Sequence, residues 1–166
     1  MRTAVTLVAA LALAGCQFDQ DEGIGQEVAE ELVDRYYAKF QQPGFLIDDL
    51  MKFYSPDIAF VDPTYEIVMN GESEFRETYA ELGTAQSNYR NIKWDIAEVV
   101  TSGDKVVIYG NWSGTFHHCP FEVAFTTYWK LENGLIVEQR DFFAAPAFDR
   151  QVGWDPATAS ATCAKH

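Results

Sequence analysis

From residue 89 to residue 143 the chain keeps a period of two, interrupted by Ser102-Gly103-Asp104, by a His117-His118-Cys119-Pro120 corner and by Glu132-Asn133-Gly134. Asn-Gly and Gly-Asp breaks between alternating apolar runs supply the positive φ that tight hairpins need. The expected product is four long antiparallel strands in meander, over 91–101, 105–116, 121–131 and 135–143. Charged residues assign their faces. Glu122 and Lys130 share a parity with Ala124, Thr126 and Tyr128, so Phe121, Val123, Phe125, Thr127, Trp129 and Leu131 point inward. Glu138 and Arg140 mark the outer face of the last strand, which leaves Leu135, Val137, Gln139, Asp141 and Phe143 inside. That wall is apolar with a few polar groups set into it, as the wall of a small-molecule cavity is.

Upstream the period is helical. Over 26–41, Val28, Leu32, Tyr36 and Phe40 recur every four residues, with Ala29, Val33 and Tyr37 beside them, and Pro43-Gly44 closes the segment. Shorter helices are expected over 46–54 and 72–82. Between them Ile58 and Phe60 alternate as on a half-buried strand that Pro63 stops. Asp62 falls on their face, so its carboxylate points inward, either capping the Asp-Pro turn or standing at the mouth of a cavity. Helices followed by a meander define an α+β domain with a curved, mostly antiparallel sheet and three N-terminal helices on one face. It spans 26–148 and leaves 149–166 as an irregular C-terminal tail.

The first residues are read apart from the fold. Arg2, the apolar run 4–13 and Leu13-Ala14-Gly15-Cys16 resemble the signal peptide and lipobox of bacterial lipoproteins. The resemblance implies a signal peptide over 1–15, lipidation of Cys16, a tether over 16–25 and a cell-envelope location at the outer membrane, facing the periplasm. The membrane is then a partner through the lipid alone. Cys119 and Cys163 are the two cysteines left, so an oxidising compartment allows one disulfide; the alternative is a buried Cys119 and a free Cys163. With 25 acidic against 12 basic residues and a net charge of −13, nucleic acid is excluded as a partner.

Arg35-Tyr36-Tyr37, Phe60-Val61-Asp62-Pro63, Asn70-Gly71, Trp129-Lys130-Leu131-Glu132-Asn133-Gly134 and Arg140-Asp141-Phe142-Phe143 together resemble the SnoaL-like and ketosteroid-isomerase-like branch of the nuclear transport factor 2-like superfamily. The resemblance implies a cone-shaped roll, a strongly bent sheet wrapped over a long helix with a pocket in its open end, and a homodimer formed through the sheet. Asp62 is placed like the proton-shuttling base of the isomerases, a worked case of tuned carboxyl groups, and Tyr36 like their oxyanion tyrosine. The position of their second oxyanion donor is taken by Thr127, which is not an acid. Asp141 resembles the acid/base of the SnoaL-like cyclases.

The candidate catalytic residues are therefore Asp62, Asp141 and Tyr36, with Thr127, Gln139, Trp129 and Phe60 expected to contact a small apolar or amphipathic molecule. Two carboxylates in one apolar hollow raise the pKa of at least one, which suits proton transfer near neutral pH. No Gly-rich phosphate loop, nucleophile elbow or Cys-x-x-Cys occurs, so no cofactor is expected. Adjacent His117 and His118 would face opposite sides of a strand, so no metal is expected there either. The expected activity is a cofactor-free isomerase, cyclase or hydrolase step. The alternatives are a non-catalytic ligand-binding or dimerisation module and an assembly factor acting through the sheet surface.

Overall fold

The computed structural model describes residues 23–163 except Pro43, Pro156 and Ala159. Cys16, the signal peptide and residues 16–22 of the tether lie outside the described residues. Of the rest of that tether, Ile24 is docked: its N–H donates to the Gly103 carbonyl at 2.9 Å and its side chain packs on the core.

Helix α1 (Gln26–Ala38) runs into a short 3-10 turn, Lys39–Gln41. It buries Ala29, Leu32, Val33, Tyr36 and Tyr37, whereas Val28 is exposed. The apolar stripe is thus centred one position later than the strict four-residue spacing suggests. Helix α2 (Ile47–Met51) is one turn and a half, with Asp49 accepting the Leu46 N–H. Helix α3 (Glu72–Thr78) is held at its start by Glu74, which accepts the Asn70 N–H at 2.7 Å. All three N-terminal helices are shorter than the apolar pattern predicts.

Strands β1 (Tyr54–Asp62), β2 (Ile67–Asn70), β3 (Tyr89–Ser102), β4 (Lys105–Phe116), β5 (Cys119–Glu132) and β6 (Leu135–Phe143) form one sheet in the order β2-β1-β6-β5-β4-β3. All neighbours are antiparallel except β1 and β6, which pair parallel. Two bulges curl it. In β3, Ile96 pairs with Gly110 and Glu98 with Tyr109, so Ala97 is the extra residue. A Cβ on Gly110 would collide with the Asp95 carbonyl; only glycine lets the strands approach there.

The second bulge corrects the inward face expected for β6. Lys130 pairs with Glu138 but Leu131 with Ile136, so Val137 is inserted and the parity reverses. Ile136 is fully buried and Leu135 and Val137 are only half-buried, while Gln139 and Asp141 point inward as expected. The tail is corrected as well. Helix α4 (Ala145–Val152) carries Pro146 in its first turn, buries Phe148 and Val152, and ends at Gly153 with φ 55°. Strands β7 (Trp154–Asp155) and β8 (Ser160–Ala161) follow as a small ladder. Cys163 is joined to Cys119, so the even choice between a disulfide and free thiols resolves as a disulfide. The domain therefore continues to Cys163 rather than ending near residue 148. No described helix is long and apolar enough to cross a membrane.

Candidate functional site

Between α1, α3 and the concave face of the sheet lies a cavity of about 490 Å³. Tyr36 and Tyr37 come from α1, Phe60 and Asp62 from the end of β1, Phe75 from α3, Trp94 and Trp112 from β3 and β4, and Gln139 and Asp141 from β6. Half of the lining residues are aromatic, and the ring of Tyr79 stands edge-on to Phe60 at 5.9 Å. Among the described residues the lining contains no lysine, arginine or histidine.

One hydrogen-bonded chain organises the polar end. Gln139 Oε1 accepts from the Tyr54 hydroxyl at 2.7 Å and from the Trp129 indole N–H at 3.0 Å. With both donors on the carbonyl side, the amide cannot turn over, and its Nε2 donates to both oxygens of Asp141 at 3.0 and 2.9 Å. The Thr127 hydroxyl donates to Asp141 Oδ1 at 2.8 Å, and Tyr37 donates to Thr127. Since the single proton of Tyr54 goes to Gln139, the 2.6 Å contact between Tyr36 and Tyr54 uses the Tyr36 proton. The oxyanion donor suggested by resemblance is therefore occupied in this arrangement.

Asp141 is 9 % exposed. Burial pushes its carboxyl up to about 7, against the pull of the Thr127 and Gln139 hydrogen bonds, and the charge of Asp62 adds to the rise. Oδ1 already receives two donors, so the proton of the neutral form belongs on Oδ2. The phenols of Tyr36, Tyr37 and Tyr54 are raised by burial and by neighbouring negative charge, so all three stay neutral.

Asp62 serves the turn and the cavity at once. Its Oδ1 accepts the N–H groups of Thr64 and Tyr65 at 2.9 and 3.2 Å, an Asx turn that holds the β1–β2 corner. Its carboxylate is 3 % exposed, lines the cavity, and is raised by burial against those hydrogen bonds. Of the residues singled out in the sequence, Tyr36, Phe60, Asp62, Gln139 and Asp141 line the hollow. Thr127 and Trp129 stand behind it and position Asp141 and Gln139, so neither is placed to contact a ligand directly.

Tyr54 and Tyr37 complete the chain, though neither is among the candidates the sequence offers; Tyr54 falls in the helix expected over 46–54, and only the extended β1 aims its phenol at Gln139. His118, Cys119 and Cys163 place ligand atoms within 4.8 Å of one another, but both sulfurs are spent in the disulfide, which removes the metal-site chemistry. Replacing Gln139 by Leu leaves the Tyr54 hydroxyl and Trp129 N–H without their acceptor. An unfolding free energy lower by at least ~2 kcal/mol is expected in chemical denaturation, the usual cost of buried unpaired donors.

The solved structures that this curled, mostly antiparallel sheet and its helices resemble share the fold. A protein of ketosteroid-isomerase-like fold from Catenulispora acidiphila, solved with trimethylamine, is 21 % identical over 76 % of this chain and 98 % of that one, with a TM-score of 0.65. A Jannaschia protein assigned as a SnoaL-like polyketide cyclase is 17 % identical over 77 % and 93 %, at 0.62. An epoxide hydrolase of the LEH-like type from M. tuberculosis is 15 % identical over 72 % and 84 %, at 0.58. At such identities the likeness is one of fold. The SnoaL-like domain model matches residues 33–139, and the chain belongs to that family. In a comparison with curated proteins, none matches.

Proposed function

We propose that the domain binds a small, largely apolar molecule in the cavity and moves a proton on it without a cofactor, Asp141 serving as acid/base. The observation that carries this reading is a carboxyl group buried at the polar end of an aromatic hollow, oriented by Thr127 and Gln139 and poised at about 7. Such a group is half protonated near neutrality, where a general acid/base works best. Thr127 and Gln139 stabilise the carboxylate when it forms. Tyr36, Tyr37 and Tyr54 supply fixed neutral dipoles. Polyketide cyclase-type and epoxide hydrolase-type proteins among the fold neighbours support an isomerase, cyclase or hydrolase step as the reaction class.

The test is exchange of α-protons of apolar cyclic ketones in D2O, followed by NMR. Exchange by the wild type that disappears in Asp141→Asn supports the reading; ketones that bind without exchange leave a binding module in its place. That second reading draws on two observations, the committed Tyr36 proton and a threonine at the oxyanion position.

The tetrapeptide ending at Cys16 supports a lipid-anchored envelope protein, which Cys16→Ser should release into the aqueous phase on detergent partition. A homodimer through the convex face of the sheet is supported by a cross-strand row. Val100, Val107, Tyr128, Arg140, Val61 and Val68 follow one another in register across all six strands, with Val68, Val100 and Val107 exposed. Val107→Lys should then shift sedimentation toward the monomer, whereas a monomeric wild type removes the proposal.

A further inference from the structure

Asp62 adjoins the Gln139 network: Phe60 pairs with Gln139 and Val61 with Arg140 across the parallel β1–β6 seam, so the next step of that register sets Asp62 beside Asp141. Both turn N–H groups bond to its Oδ1, and among the described residues no N–H donor or basic side chain reaches Oδ2. A carboxylate that is 3 % exposed yet lacks a counter-charge is costly to keep ionised. The rings around it are those of Tyr65, Tyr79 and Tyr89. Burial raises all three phenols, and the charge of Asp62 adds to each rise, after that of Asp141 at Tyr79; Tyr89 reaches about 12. All three line the same cavity. A cluster of electron-rich ring faces beside a carboxylate that has hydrogen bonds from the Thr64–Tyr65 turn but no counter-charge, with no basic residue in the lining, is suited to an organic cation and hostile to an anion.

We propose that the Asp62 end of the cavity is an ammonium subsite, taking the protonated or quaternary amine head of an amphipathic ligand with Asp62 Oδ2 as counter-ion and Tyr65, Tyr79 and Tyr89 as its cage. The inference rests on the cavity reading above and narrows it, since it gives the ligand a charged head held beside the carboxyl group that acts on it. It also gives the two acids different duties, one holding charge and the other moving a proton.

The experiment compares benzyltrimethylammonium with its uncharged carbon isostere, neopentylbenzene, by titration calorimetry on the full chain at pH 7.5. The cation is expected to bind at least tenfold more tightly, with affinity falling as salt rises. Asp62→Asn keeps a side-chain carbonyl for the Thr64 and Tyr65 N–H groups, so the turn survives. It should lose about tenfold in cation affinity and leave the isostere unchanged, its thermal melt verifying the fold. Tyr79→Leu should weaken the cation more than the isostere. Equal binding of the two probes overturns the subsite while leaving the apolar cavity intact. A cation preference that persists in Asp62→Asn overturns the counter-ion. Binding of neither probe overturns both the subsite and the cavity reading on which it stands.

Discussion

Asp141→Asn is expected to abolish proton transfer and at the same time to stabilise the domain above neutral pH. An amide cannot take the proton, and loss of a positioned general base costs roughly 10²- to 10⁴-fold in rate. The stability effect follows from the raised pKa. In the folded chain the carboxyl holds its proton up to about 7, whereas in the unfolded chain it lets go near the ordinary aspartate value of 3.8. Between those values the folded state binds the extra proton, so stability falls as pH rises; above 7 the full cost is present, on the order of 4 kcal/mol at 1.36 kcal/mol per pKa unit. Below pH 4 the group contributes nothing. Melting of wild type and variant across pH 4 to 8.5 should therefore diverge, the variant gaining with pH, while the difference cancels the slopes of the other acids. A parallel pair of curves would show that Asp141 is not buried in the folded chain.

Reduction of Cys119–Cys163 has the second large effect expected. The bond joins residues 44 apart and encloses β5, β6, α4 and the β7–β8 ladder. On a chain-entropy account, closing a loop of that length restricts the unfolded chain by about 4 kcal/mol. Cys119→Ala with Cys163→Ala, or reduction of the wild type, should lower the unfolding free energy by roughly 2–4 kcal/mol in guanidinium titration. The first part to loosen should be the tail. Phe148 of α4 stacks on Trp112 at 5.8 Å, and Trp112 lines the cavity, so ligand affinity should fall as the tail frees. Equal denaturation midpoints with and without reductant would show that the bond does not hold the fold.

The meander was legible because its evidence is local: charges on β5 fix one parity, and every inward residue assigned there is buried. On β6 the same reasoning failed for half the strand. A bulge is a one-residue offset between two strands, and nothing within 135–143 alone announces that Val137 has no partner. Helix α4 was missed for a related reason, since eight residues that include Pro146 carry too few turns for a period to emerge. Asp62 shows a different limit. Alternation placed it correctly inside, but a turn cap and a cavity acid were treated as rivals, and one carboxylate with two oxygens fills both places.

The parallel pairing of β1 with β6 sets when the hollow can exist at all. Ala59 lies beside Glu138 and Phe60 beside Gln139, so the Asp62 and Asp141 sides meet only when the last long strand arrives. An emerging chain can form its β3–β4 and β4–β5 hairpins early, but β1 must wait for a partner nearly eighty residues downstream. Contacts of that separation put folding in the slow range of ms–s for small domains. Until β6 is made, β1 keeps an open sheet edge, and it is the segment most exposed to mispairing.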